Sequence, residues 1–319
     1  MLANRLFLMV LGLIAAAPAT AQSFPSRPVR MVVPLAPGGP VDFVARIVAA
    51  RLTDQLGQQV VVDNRPGAGG SVGADLVARA VPDGHTVLLA ANGTLAVAPN
   101  LLKLPYDVQR DLAAVALVGT SPQILVVHPS LPAKSVKDLV ALARSRPGTI
   151  NYASSGQGAT SHLASELFRV TARIDIVHVP YKGAGPALAE LAGGNTQMMI
   201  TGVSSTLPYL KSGRLRALGV TSPKRIAALP DVPAIAEMLP GYEVTTWYGL
   251  MTTAGTPGAV VTRLHRETVA AATHAEARAR LASAGVDVET SSPEQFSAMI
   301  RSETAKWGKI IKAAGVQSH

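Results

Sequence analysis

The sequence predicts an α/β protein, on three observations. Short apolar runs of strand length alternate with stretches carrying apolar residues at helical spacing. Turns rich in glycine and proline separate them. The strand–helix–strand order over the first hundred residues implies a parallel sheet covered by helices.

The first apolar run, Met31 to Val33, is a strand stopped by Pro34. Pro37-Gly38-Gly39-Pro40 must turn. Asp42 is the expected N-cap of the helix that follows, whose buried stripe is Val41, Val44, Ala45, Val48 and Leu52. Such a loop exposes backbone N–H groups at a helix start, where an anion can settle. The same pattern also suits an ordinary strand-to-helix connection. Val60 to Asp63 is the second strand, Asn64 to Ser71 a turn, Val72 to Ala80 a helix, and Thr86 to Ala90 the third strand. Asn92-Gly93-Thr94 follows directly. Ligands of open parallel sheets gather at the carboxyl ends of strands, so the loops at 34–41 and 91–94 are expected on one edge.

A second α/β run spans 124–220. Its strands are Ile124 to His128, Ile150 to Tyr152, Ile176 to Val179, Gln197 to Thr201 and Leu215 to Val220. Ser135 caps a helix to Arg144, and Pro186 to Leu191 is another. Between them a small-residue loop, 153–159, leads into a helix from about Thr160 to Val170. This is the second place where a strand hands over to such a loop and then to a helix. The closing helices start at Thr256-Pro257, with cap and N1 proline, and at Ser292-Pro293, where Ser292 and Gln295 form a capping box. The last carries the stripe Phe296, Met299, Ile300, Trp307, Ile310 and Ile311, which is core packing.

Composition narrows the function. Residues 1–21 carry Arg5, an apolar run from Leu6 to Ala17, and Ala19-Thr20-Ala21 as a cleavage site, the layout of an export signal. The mature chain then carries +8 formal charge, spread without any Lys/Arg run. With only 4% aromatics, this argues against nucleic-acid binding. No later stretch reaches about 18 uninterrupted apolar residues, so no membrane span is expected. With no cysteine in the chain, stability rests on packing. The remaining length is that of two lobes, and Thr120-Ser121-Pro122 and Gly241 to Thr246 are the places where the chain crosses between them.

Chemistry is hard to find. The histidines form neither HExxH nor H-x-H, so a metal site has no support. Gly202-Val203-Ser204-Ser205-Thr206 lacks the second glycine of a nucleophile elbow. His162 is a packed helix histidine before it is a base. Gly67-Ala68-Gly69 has Val72 where a dinucleotide fingerprint needs glycine. No cofactor is expected. What remains is a pair of loop-to-helix entries offering hydroxyls and amides, which suits reversible binding of an anion more than turnover.

Seven further features resemble one family: Pro37-Gly38-Gly39 with Asp42, Asn64-Arg65-Pro66-Gly67-Ala68-Gly69-Gly70, Pro82-Asp83-Gly84, Ser154-Ser155-Gly156 with His162-Leu163, Val179-Pro180-Tyr181-Lys182-Gly183, Leu229-Pro230-Asp231-Val232-Pro233 and Ala254-Gly255-Thr256-Pro257. Together they resemble the Bug family, the extracytoplasmic receptors of tripartite tricarboxylate transporters, along nearly all of the mature chain. The resemblance implies a type II periplasmic binding-protein fold: two lobes with a ligand cleft between them, lobe 1 being 22–122 plus 246–319 and lobe 2 being 123–245. It also implies a periplasmic, monomeric, non-catalytic receptor that delivers a small carboxylate to a membrane permease. The carboxylate is expected between Pro37, Gly38 and Gly39 of one lobe and Ser154, Ser155, Gly156, Gly158, Ala159 and Thr160 of the other. Asn92, Thr94, Thr201 and Ser204 are expected to face the rest of the ligand. Val41 and Ala159 stand where relatives often carry hydroxyls, so a ligand smaller or more apolar than citrate is at least as suitable. Two other readings stay open: a binding protein that signals to a kinase, and an exported hydrolase.

Overall fold

The structure, a computed structural model, describes residues 24–315 apart from 158, 182 and 227. The export signal and Gly158 therefore lie outside the described residues. The strands are β1 (Val29–Val33), β2 (Val60–Asn64), β3 (Thr86–Ala91), β4 (Leu112–Val127), β5 (Asn151–Ser154), β6 (Val177–Pro180), β7 (Met198–Gly202), β8 (Arg216–Val220) and β9 (Thr245–Thr253). The helices are α1 (Pro40–Leu56), α2 (Ser71–Ala78), α3 (Ala98–Leu101), α4 (Val108–Asp111), α5 (Val136–Ser145), α6 (Thr160–Ala172), α7 (Ala184–Ala192), α8 (Val203–Lys211), α9 (Gly258–Thr273), α10 (Ala275–Ser283) and α11 (Pro293–Ala314).

The strands hydrogen-bond in the order β2-β1-β3-β9-β4-β7-β5-β6, with β8 also on β4. β1 lies parallel between β2 and β3, which places the 34–39 and 92–94 loops on one edge, as expected. β1 is buried on both faces: Met31 and Val33 pack with Val44 and Val48 of α1, while Val32 joins Leu88 on the other side. That double burial is why the run is apolar without alternation.

β4 organises the rest. The expected strand at Ile124 is the second half of a 16-residue strand that starts at Leu112. Its first half pairs antiparallel with β9, from Leu112↔Thr253 to Pro122↔Thr245. Its second half lies between β7 and β8. Pro122 is tolerated because the ladder changes partner there, passing from β9 to β8 along one edge. Thr221 bridges the change: its hydroxyl accepts the Gln123 N–H at 2.8 Å and donates to the Val244 carbonyl at 2.5 Å.

Three local expectations need correcting. Helix α1 begins at Pro40 with Gly39 as N-cap, because Pro40 is pre-set for the first helical position; Asp42 therefore lies inside the first turn. Helix α9 begins at Gly258, with Pro257 as its N-cap, and the Thr256 hydroxyl turns back to the Thr253 carbonyl at 2.7 Å. After β3 the chain makes a π-helical turn, Gly93–Val97, before α3. The capping box of α11 is formed as expected. That helix crosses β4, the π-turn and α6, and its Phe296 packs so closely that a Cβ on Gly249 would lie 2.0 Å from the ring.

Candidate functional site

Four turns sit at the carboxyl ends of β1, β3, β5 and β7. The first, 34–39, holds Pro37 and Gly38 exposed and Gly39 half-buried. Gly38 has φ +81°, a conformation that favours glycine. Its N–H is not free: it donates to Asp42 Oδ2 at 2.9 Å, and Arg46 Nε donates to the same oxygen at 2.9 Å. Asn64 Nδ2 donates to Asp42 Oδ1 and to the Leu35 carbonyl, both at 3.0 Å. Burial alone would raise the Asp42 pKa. Arg46, the Gly38 amide and Asn64 outweigh it and hold the carboxylate below its usual range. The residue expected to cap the helix instead shapes the loop from beneath.

The second turn carries Asn92 and Thr94, both buried. The Thr94 hydroxyl donates to the Gly69 carbonyl at 3.2 Å, and a Cβ on Gly70 would lie 2.3 Å from it. Asn92 Nδ2 donates to the Thr245 carbonyl of β9 at 3.2 Å. Among the described residues Asn92 Oδ1 has no hydrogen-bond partner, nor has Oε1 of Gln123, whose Nε2 lies 3.3 Å from the Thr246 hydroxyl. Both oxygens are buried near the start of β9, at Thr245 and Thr246. Gln123 was not singled out in the sequence, although one amide side chain within Ile124-Leu125-Val126-Val127 and its neighbours is a visible break in an apolar strand.

The third turn follows β5. Ser154 is fully buried and its hydroxyl lies 2.6 Å from His178 Nε2, accepting the Gly156 N–H at 3.2 Å. Gly156 has φ +138°. The Ser155 N–H donates to Ser161 Oγ at 2.9 Å, and Ala159, half-buried, is the N-cap of α6 without a side-chain bond. Thr160 opens α6, half-buried, with Oγ1 3.9 Å from where a Cβ on Gly93 would sit. So Gly93 and Thr160 bring the β3 and β5 turns together. The Gly38 N–H turns instead to Asp42, on the first turn of its own helix α1. In the fourth turn Thr201 is buried on β7, and Ser204 is exposed on the first turn of α8, 3.5 Å from a Cβ on Gly285.

Behind the third turn lies a cluster of three rings. His162 and His178 stack at 3.9 Å and Tyr152 stacks on His178 at 4.9 Å. The Tyr152 hydroxyl donates to Glu166 Oε1 at 2.5 Å, and Glu166 pairs with Arg169. Burial, and then the His162 ring beside it, pull His178 down to about 4, and burial lowers His162 as well. Between the ordinary histidine value of 6.5 and 4, the unfolded chain therefore binds a proton that the folded chain refuses. Stability present above 6.5 is lost as pH falls through that window. The full shift would be worth about 3 kcal/mol; solvent at the half-exposed ring cuts this to on the order of 1 kcal/mol. Urea denaturation at pH 7 and pH 4.5 should show that much less acid sensitivity in His178→Gln than in the unaltered chain.

A family model described as "Tripartite tricarboxylate transporter family receptor" matches residues 44–316. Protein BugT of Bordetella pertussis is 36% identical over 305 residues, covering 95% of this chain and 94% of BugT. Among solved structures, Rpa4515 of R. palustris with adipate is 37% identical with a TM-score of 0.81, covering 92% of this chain and 98% of that one. MatC of Rhodopseudomonas palustris with bound malate is 33% identical with a TM-score of 0.77, covering 90% and 100%. Both the match and the two-lobed α/β architecture run through nearly the whole described chain, and the protein belongs to the receptor family of the tripartite tricarboxylate transporters.

Proposed function

We propose that this chain is an exported receptor that closes on a small carboxylate and presents it to a tripartite tricarboxylate-type permease. The observation that carries the reading is the meeting of two strand-end turns, Gly93 against Thr160, at the start of a 13-residue helix. A carboxylate there would face the positive end of α6 and the hydroxyls of Ser155 and Thr160. A helix start contributes about 0.3–1 kcal/mol to an exposed anion and up to ~2 when partly buried. Relatives solved with adipate and with malate support a carboxylate of modest size.

The proposed contacts are Pro37, Gly38, Gly39, Asn92 and Thr94 from one lobe, and Ser154, Ser155, Gly156, Gly158, Ala159, Thr160, Thr201 and Ser204 from the other. The proposed lobes are 22–122 plus 246–319 and 123–245. The change of partner along β4 at Pro122 supports that boundary. Export through residues 1–21, a periplasmic monomer and the absence of turnover complete the reading.

Calorimetric titration with a panel of mono-, di- and tricarboxylates tests it. At least one is expected to bind near micromolar, roughly −8 kcal/mol. No heat and no fluorescence change with any member would overturn it.

A further inference from the structure

We propose that His178 is the positioning residue of the 154–160 turn, acting through the buried Ser154 hydroxyl to hold the turn in its ligand-ready shape. The inference rests on the reading that this turn holds the carboxylate.

The geometry runs from strand to turn. Tyr152 and Ser154 lie two residues apart on β5, so their side chains share a face. His178 of β6 pairs with Tyr152 in register and stacks on it. From there Nε2 reaches Ser154 Oγ at 2.6 Å. Ser154 Oγ in turn lies 3.2 Å from both the N and the O of Gly156. That hydroxyl therefore holds the Gly156 N–H and the Gly156 carbonyl, which belong to successive peptide units, while His178 holds the hydroxyl. The Gly156 carbonyl goes on to accept the Ala159 N–H at 3.2 Å, immediately before α6.

The far end of the turn is tied to the same ring cluster. His162, on the first turn of α6, stacks on His178 at 3.9 Å and lies 6.4 Å from the Tyr152 ring. Ser161 of α6 accepts the Ser155 N–H. The chain just after β6 also feeds back: the Tyr181 N–H donates to the Ser154 carbonyl and the Gly183 N–H to the Ser155 carbonyl, both at 3.0 Å. His178 touches the strand before the turn, the helix after it and the hydroxyl inside it. It need not touch a ligand to set where the turn's amides point.

The test separates the bond from the ring. His178→Phe keeps an aromatic ring and loses the bond; His178→Gln loses the ring and keeps a polar atom at the reach of Nε2. Adipate and malate serve as probes, with whichever panel member binds the unaltered chain best. His178→Phe is expected to weaken binding about tenfold, or ~1.4 kcal/mol, and His178→Gln to stay within about threefold. Ser154→Ala should match His178→Phe, and the double variant should be no weaker than either single one, since the two residues act as one unit. Phe binding as tightly as the unaltered chain, Phe and Gln weakened alike, or additive losses in the double variant would each overturn the proposal.

Hydrogen exchange at the Gly156 amide gives a readout free of ligand. Faster exchange is expected in His178→Phe and Ser154→Ala, and unaltered protection in His178→Gln. If no carboxylate binds the unaltered chain, the receptor reading falls while Gly156 exchange still decides the role of His178. Unaltered exchange in both His178→Phe and Ser154→Ala would overturn that role by itself.

Discussion

Thr160→Asp is expected to abolish carboxylate binding while leaving the fold intact. Thr160 is the first residue of α6, half-buried, with its hydroxyl against Gly93. A carboxylate built there would stand where the ligand's own negative group is proposed to sit. Two unit charges about 4 Å apart at an effective dielectric near 20 repel by roughly 4 kcal/mol, nearly a thousandfold in affinity. The same substitution suits the helix. An acidic residue in the first turn of a helix contributes about 0.3–1 kcal/mol, so thermal unfolding should be unchanged or slightly raised. The two signs are opposite, which keeps lost binding from being confused with lost fold. Thr160→Ser, retaining the hydroxyl, should bind within a few fold. Titration of Thr160→Asp with the best carboxylate of the panel checks it; normal affinity would move the anion site elsewhere.

The parts of this site that were legible in the sequence are those where local chemistry decides. The apolar runs of β1 and β3 and the glycines at 38, 39 and 156 are visible because strand ends and tight turns need those residues wherever they occur. Asp42 shows the limit. A carboxylate beside a glycine-rich turn suits a cap, but Pro40 had already set the helix start, and Asp42 found Gly38, Arg46 and Asn64 instead. The first half of β4 was missed for a different reason. Its alanines carry weak strand preference and its partner β9 lies more than 120 residues along the chain, so the pairing is decided by tertiary contact. The His178–Ser154 bond spans 24 positions and was likewise invisible. In each case what failed was the choice of partner, not the residue type.

Trp307→Ala is expected to lower the free energy of unfolding by about 3–5 kcal/mol, the range for emptying a fully buried large ring. Trp307 is 0% exposed within the core that Phe168 of α6, Leu95 and Val97 of the π-turn and Tyr242 also enter. Lys309, two positions on and exposed, should tolerate alanine within about 0.5 kcal/mol. The effect should not stop at stability. Asn100 of α3 donates to the Thr304 carbonyl at 3.0 Å, and a Cβ on Gly308 would lie 2.7 Å from Asn100 Oδ1. Thus α11 is seated on the short helix that continues the turn holding Asn92, Gly93 and Thr94. It also packs on α6, the helix that Thr160 opens. A cavity beneath α11 loosens both turns at once, so the folded Trp307→Ala protein should bind its carboxylate more weakly than the Lys309→Ala control. Urea titration measures the first quantity and calorimetry below the unfolding range the second. A stability loss under about 1 kcal/mol would mean that this end of α11 is not part of the common core. Full stability loss with unaltered affinity would mean that the core supports the sheets without setting the turns, and would confine their positioning to the bonds of β5, β6 and α6.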